Sequence, residues 1–305
     1  MKNAVLFSGT SNRPLAERIV SRLSVALGSI DITRFIDNEC RVYITEDVKG
    51  KNVFVLQSLS EVADQHLVEL CLIASAAKSL GAARVTAVIP WMGYSKQDKA
   101  FRKGEAISAQ LVAQFIEAAG FDAVVTCQLH SENVIPFFHI PVTELSTQDI
   151  LRGGLAVASP SIEQVTVVSP DAGGKSRSAR FAQAMNLPIV YLEKERDKAT
   201  GNVTVTGISG VVGSRDVVIF DDIINTGATA IKTSVFLKEH GAGRMYFLAT
   251  HAVLAGEAAG ELVRSPIDAV VVTDTISIPQ RKQFGKLNIV SVAPLIADAI
   301  SSLIK

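Results

Sequence analysis

The chain has 305 residues, 48% of them hydrophobic, and its 30 acidic side chains balance 30 basic ones. That length holds a large core and makes two packed domains the expectation, with one large barrel as the alternative. The neutral balance excludes a global field that would draw the chain to a nucleic acid polymer or an anionic membrane. Charged or polar residues interrupt every hydrophobic run before it reaches membrane-spanning length, and the opening MKNAVLFSGTSNRPLAERI carries no signal-peptide cleavage region. Cys40, Cys71 and Cys127 lie far apart, as reduced thiols rather than a disulfide frame or metal cage would, so a cytoplasmic protein is expected.

Taken in chain order, Ala4–Phe7 reads as a strand and Pro14–Leu27 as a helix stopped by Gly28. Val53–Gln57 is a predicted strand, Asp64–Leu80 a helix stopped by Gly81, Val85–Ile89 a strand, Glu105–Ala119 a helix stopped by Gly120, and Ala123–Thr126 a strand. A domain boundary falls near residues 143–150. Beyond it Val165–Val168 and Val217–Phe220 read as strands, Thr229–His240 as a helix stopped by Gly241, Met245–Ala249 and Ala269–Val272 as strands, and Val292–Ile304 as a helix. Strands alternating with longer amphipathic stretches predict an α/β fold of mainly parallel sheets flanked by helices.

A faint repeat runs through this pattern. Gly50-Lys-Asn-Val-Phe-Val-Leu-Gln-Ser58 and the later Gly81-Ala-Ala-Arg-Val-Thr-Ala-Val88 echo Gly213-Ser-Arg-Asp-Val-Val-Ile-Phe-Asp-Asp222 and Gly241-Ala-Gly-Arg-Met-Tyr-Phe-Leu248. Two similar domains, residues 1–146 and 147–305, are therefore expected, the second carrying the C-terminal helix. The chemical difference is that one strand ends in Gln57-Ser58 and the other in Asp221-Asp222.

The acidic pair belongs to Val217-Val-Ile-Phe-Asp-Asp-Ile-Ile-Asn-Thr-Gly-Ala-Thr229, an apolar strand leading through a Thr/Gly loop into a helix. In open α/β sheets ligands bind at the carboxyl ends of strands, and a helix N-terminus offers N–H groups and positive potential to a phosphate. Thr226 and Thr229 add hydroxyl donors, and Gly227 lets the backbone approach closely. Adjacent carboxylates accept hydrogen bonds from a vicinal diol such as that of ribose. Two exposed like charges with no basic neighbour are costly for a purely structural segment.

This segment resembles the phosphoribosyl-diphosphate motif of the type I phosphoribosyltransferase fold. Further segments narrow the resemblance to the ribose-phosphate pyrophosphokinase family: Arg34-Phe-Ile-Asp-Asn-Glu39, Trp91-Met-Gly-Tyr-Ser-Lys-Gln-Asp-Lys99, Gln128-Leu-His-Ser131, Ser169-Pro-Asp-Ala-Gly-Gly174, Lys194-Glu-Arg196, Ala249-Thr-His-Ala-Val253 and Ser291-Val-Ala-Pro294. It implies two phosphoribosyltransferase-like domains, an ATP side and a ribose 5-phosphate side, and Mg²⁺-dependent transfer of the β,γ-diphosphate of ATP to the sugar's 1-hydroxyl. Homo-oligomers, from dimer to hexamer, are implied as well.

Carried over residue by residue, the resemblance assigns Phe35, Asp37, Asn38, Glu39, Lys96, Gln97 and His130 to ATP, with Phe35 stacking on adenine. His130 and Asp171 are implied at the metal, and Lys194 and Arg196 as the catalytic cations of a mobile loop. Asp221 and Asp222 are implied to orient the ribose, and Asn225, Thr226, Gly227, Ala228 and Thr229 to hold its 5-phosphate. The chemistry asks for such cations, since displacement at the β-phosphorus builds charge on transferring and leaving oxygens.

The chain also departs from the family pattern. Gln128 and His139 stand where acids are usual, Asn225 replaces an aspartate, and Ala228 a glycine. Asp47 and Gly104 occupy the places of a serine and an arginine of phosphate-regulated members, and Lys49 that of another arginine, so weak phosphate activation is expected. Two other functions fit part of the sequence: a phosphoribosyltransferase, which has no use for the ATP loop, and a regulatory paralogue, which has no use for Lys194 and Arg196.

Overall fold

The computed structural model describes residues 3–158, 165–196 and 203–304, with backbone alone at 195, 196, 203 and 204. The chain forms two compact units, the first made of Met1–Ser146, Thr275–Ser277 and Ser291–Lys305, the second of Thr147–Asp274 and Ile278–Val290.

In the first unit β1 (Ala4–Ser8), β2 (Ala26–Leu27), β5 (Asn52–Leu56), β6 (Arg84–Ile89), β7 (Ala123–Cys127) and β8 (Val142–Leu145) form a parallel sheet in the order β2-β1-β5-β6-β7-β8. Strands such as β1 and β7 are buried along their whole length, which is why they read as continuous apolar runs. Helices α1 (Arg13–Val20), α2 (Ala63–Ser79) and α3 (Ser108–Ala118) belong to the same unit, and an antiparallel hairpin of β3 (Ile30–Arg34) and β4 (Cys40–Ile44) is inserted after β2.

In the second unit the order is β11-β10-β9-β12-β13-β14-β15, from β9 (Val165–Ser169), β10 (Ile189–Arg196), β11 (Val203–Ile208), β12 (Asp216–Ile224), β13 (Met245–Ala252), β14 (Ala269–Thr273) and β15 (Leu287–Val290). All neighbours are parallel except β10 and β11. Its helices are α4 (Gln148–Ala158), α5 (Lys175–Met185), α6 (Ala228–Glu239) and α7 (Ala258–Arg264). Removing β11 leaves the same order as in the first unit, with β1, β2, β5, β6, β7 and β8 matching β9, β10, β12, β13, β14 and β15. The repeat seen in sequence is thus a repeat of topology, and the β3/β4 hairpin after β2 and the strand β11 after β10 are additions at one equivalent place.

Three expectations are corrected. The helix predicted over Pro14–Leu27 ends at Val20, and Ala26–Leu27 instead pairs with Val5–Leu6 as β2; the sheet ladder outweighs local propensity. Gly28 is therefore no helix stop, but a close approach where a Cβ would overlap the Phe7 ring. Gly81, Gly120 and Gly241 do follow helices with positive φ. Second, β2, β3, β4, β8, β10, β11 and β15 went unpredicted, because hairpin and edge strands such as Ile30-Asp-Ile-Thr-Arg34 alternate with exposed polar residues. Third, α8 (Ala293–Ile304) folds with the first unit rather than the second: Ala293, Ile296, Ala297 and Ile300 form a buried stripe at helical spacing, and the helix packs on α1.

Candidate active site

The second unit opens a crevice because β12 outruns its neighbour. β12 pairs with β9 only from Asp216 to Ile219, but with β13 as far as Ile224. Past Ile219 the β9 edge is gone, and the chain leaving Ser169 turns through Pro170–Gly174 into α5. The sheet also reverses here, since β9 leads through α5 to β10 on one side while β12 lies on the other. A switch point at the carboxyl ends of parallel strands is where open α/β sheets bind ligands.

Asp221 and Asp222 lie on this overhang, within the strand rather than after it. They are 8% and 1% exposed. A basic neighbour absent from their own segment comes from α5: Nη1 of Arg177 donates to Oδ1 of Asp222 at 2.7 Å and lies 3.5 Å from Oδ1 of Asp221. The Asp222 N–H donates to Oδ1 of Asp221 at 2.9 Å. Burial holds the Asp221 carboxyl well above the usual carboxylate range, helped by the charges of Asp222 and Asp171 and a hydrogen bond with Asp222, and opposed by Arg177. Sequence reading missed Arg177. One signal was available: a basic residue in the first turn of a helix runs against the helix dipole and asks for a compensating anion.

Asp171 sits in the turn after β9, its Oδ1 accepting from the Gly174 N–H at 2.8 Å and so closing the entry to α5. Lys194 was expected on a loop and stands instead within β10, opposite Val205 of β11. A register shift falls between Glu193 and Lys194; such bulges re-aim a side chain and collect beside active sites. Burial pushes the Lys194 ammonium below the ordinary lysine value, while the charges of Asp171 and Asp221 pull it up and Lys232 of α6 pushes it down. Lys194, Asp171 and Asp221 therefore share one electrostatic environment. Arg196 ends β10 by its backbone, and its side chain lies outside the described residues, as does the rest of the expected mobile loop at 197–202.

Beyond β12, Asn225 and Thr226 are exposed and Gly227 adopts φ 78° at the start of α6. Gly227 has no side chain to offer as a cap, and the Ala228 N–H reaches Thr226 Oγ1 only at the long distance of 3.5 Å. The first turn of α6 thus presents weakly engaged N–H groups beside two exposed polar residues. Among the described residues this is a helix N-terminus placed at the open end of the acid-bearing strand.

The nucleotide residues expected from sequence lie in the first unit. Phe35, Asp37, Asn38 and Glu39 form the β3/β4 tip, closed by Phe35 N–H to Glu39 O at 2.9 Å and Arg34 Nη1 to Asn38 O at 3.0 Å. Phe35 is 54% exposed and its neighbour Ile36 wholly so. Lys96 and Gln97 follow β6, and His130 follows β7; Asn133 Nδ2 donates to Oδ2 of Asp98 at 2.9 Å, tying these two neighbouring loops together.

Among the described residues no cluster of three His, Cys, Asp or Glu side chains could cage a metal. Mg²⁺ does not require one: it keeps several waters and takes one or two carboxylates plus substrate phosphates. Asp171, within electrostatic reach of buried Asp221, fits that habit.

Two family profiles match the chain, the N-terminal domain of ribose phosphate pyrophosphokinase over residues 4–120 and the phosphoribosyl synthetase-associated domain over 146–305. A ribose-phosphate pyrophosphokinase of Ralstonia nicotianae is 40% identical over 304 residues, covering 99% of this chain and 95% of the relative. One from Caldanaerobacter subterraneus is 40% identical over 301 residues, 97% of this chain and 93% of the relative. The crystal structure of phosphoribosylpyrophosphate synthetase from Mycobacterium smegmatis superposes with a TM-score of 0.92 at 33% identity, covering 99% and 98% of the two chains. With the repeated topology and the acid-bearing crevice, these likenesses make this chain a member of the ribose-phosphate pyrophosphokinase family.

Proposed function

We propose that the chain is a ribose-phosphate diphosphokinase, converting ATP and ribose 5-phosphate into phosphoribosyl diphosphate and AMP. The observation that carries the reading is the buried acidic pair on the β12 overhang, beside a half-buried lysine and the open end of α6. In this reading the carboxylates of Asp221 and Asp222 receive the sugar hydroxyls, and residues 225–229 receive the 5-phosphate at the helix N-terminus.

The anomeric hydroxyl oxygen attacks the β-phosphorus of ATP and releases its proton, the bond from that phosphorus to the α–β bridging oxygen breaks, and AMP departs with those electrons. Lys194 and Arg196 offset the charge that grows on the transferring and leaving oxygens. Burial lowers the proton affinity of Lys194, and the charges of Asp171 and Asp221 oppose that effect. Phe35, Asp37, Asn38, Glu39, Lys96, Gln97 and His130 hold ATP in the first unit. In this reading Asp171 and His130 are the residues that would serve Mg²⁺, and the ion would supply charge neutralisation on the phosphates. Much of the acceleration is positional.

A cytoplasmic enzyme acting as a homo-oligomer completes the proposal. The three cysteines form no disulfide, and no described helix is long and apolar enough to cross a membrane. Self-association is supported by an exposed apolar face of the first unit, where Val68 and Leu72 of α2 and Phe115 of α3 line a hollow of about 390 Å³. Light scattering measures the assembly.

The deciding experiment is product analysis with ATP and ribose 5-phosphate and no nucleobase. Stoichiometric AMP and a sugar carrying a 1-diphosphate are expected; no turnover, or turnover only of preformed phosphoribosyl diphosphate with a base, overturns the reading.

A further inference from the structure

Helix α5 meets β12 along one face. Arg177 donates to Asp222, Ser178 Oγ donates to the carbonyl of Phe220 at 3.2 Å, and Phe181 stacks on Phe220 with ring centroids 4.2 Å apart and planes 15° from parallel. Side chains at i, i+1 and i+4 thus fix the helix against three consecutive strand residues, 220 to 222. The turn that starts α5 is itself closed by Asp171.

Arg177 is poorly placed for stability alone. It lies in the first turn of α5, where the helix dipole opposes a cation, and it is only 8% exposed. What it does gain is the carboxylate pair. A guanidinium presents donors in a rigid planar fork, so it sets the direction of a carboxylate as well as offsetting its charge, which a lysine ammonium does not do.

We propose that Arg177 is a positioning residue for the sugar: it locks Asp221 and Asp222 into the one orientation that accepts both hydroxyls of a cis-diol, and thereby makes the site selective for ribose over 2-deoxyribose phosphates. The inference rests on the reading of the acidic pair as the sugar site. A site built to hydrogen-bond a hydroxyl rejects the analogue lacking it, because its own polar groups are then left unmatched. That rejection depends on the carboxylates being unable to turn toward other partners.

The test compares the full-length wild type with Arg177→Lys and Arg177→Gln, using ribose 5-phosphate and 2-deoxyribose 5-phosphate as alternative acceptors and thermal unfolding as the check on folding. Arg177→Gln is expected to lose about 100-fold in kcat/KM for ribose 5-phosphate and clearly less for the deoxy sugar, narrowing the selectivity about tenfold, with KM for ATP unchanged. Arg177→Lys is expected to fold and to recover part of the turnover but not the selectivity; should Arg177→Gln fail to fold, this variant alone decides. Wild-type selectivity in Arg177→Lys, or equal losses on both sugars, overturns the role of Arg177 and leaves the enzyme assignment standing. A wild type that does not turn over ribose 5-phosphate overturns both.

Discussion

Gln57, just past the end of β5, and Asp221, within β12, hold corresponding positions, each five residues past the start of its ladder with β1 or β9 at Asn52 or Asp216, and they have opposite fates. Gln57 is turned inward, donating to Oε1 of buried Glu69 at 2.6 Å and accepting from the Ser11 N–H at 3.0 Å. Glu69 also takes the N–H and hydroxyl of Thr10 at 2.7 and 2.9 Å, and Ser58 N–H donates to Ser11 Oγ at 2.7 Å. In the first unit the crevice at the switch point is thus closed by its own side chains. In the second, the equivalent strand positions carry carboxylates on an overhang.

Replacing Glu69 by Ala takes the acceptor from the buried Gln57 amide and from the N–H and hydroxyl of Thr10. A loss of about 3 kcal/mol or more in unfolding free energy is expected from denaturant melts.

Asp221→Asn should stabilise the protein while abolishing activity. The folded-state carboxyl titrates above its unfolded value, so its ionisation costs nothing below the unfolded pKa and increasingly more as pH rises toward the folded one. The variant is expected to melt about 2–4 °C higher at pH 8 and no higher near pH 3. Calorimetry at the two pH values checks the sign.

Lys194 carries the opposite titration. Its proton affinity is lowered, so kcat is expected to fall on the alkaline side at a pH below the ordinary lysine value. Lys194→Ala should reduce kcat by about 100-fold or more with little change in KM for ribose 5-phosphate. In Lys194→Arg, which stays charged, whatever activity remains should lose the alkaline limb.

Gly227 has φ 78°, and a Cβ there would meet nothing nearer than 3.6 Å. Gly227→Ala is therefore strained by backbone conformation rather than crowding, at about 1–2 kcal/mol. The expected result is a raised KM for ribose 5-phosphate with KM for ATP unchanged, measured by steady-state kinetics.

Inorganic phosphate should activate weakly or not at all. Exposed Asp47, which accepts from the Lys49 N–H at 3.0 Å, places a carboxylate where a donor would be needed. A titration of rate against phosphate measures this, and Asp47→Ser is expected to increase the response.

Much of this was legible in the sequence because buried parallel strands write themselves as apolar runs. β1, β5, β6, β7, β9, β12, β13 and β14 were found that way, and Asp221-Asp222 stood out against such a run. The hairpins were not legible. β3, β4 and β10 are built of residues that alternate exposure or bear charge, so Lys194 read as part of a loop although it pairs across to β11. Arg177 was missed for a different reason: it lies 45 residues from its partner Asp222, and only the packing of α5 on β12 joins them. The C-terminal helix was recognised, but its stripe of Ala293, Ile296 and Ile300 says that it is buried, not which unit buries it.

The unequal lengths of β9 and β12 have a consequence for redesign. Since the cleft exists where one strand stops short of the next, extending the ladder of β9 past Ser169 by a residue or two would fill it with main chain. An inactive scaffold, retaining each acidic and basic group named above, could be made by changing nothing but the point at which a turn begins.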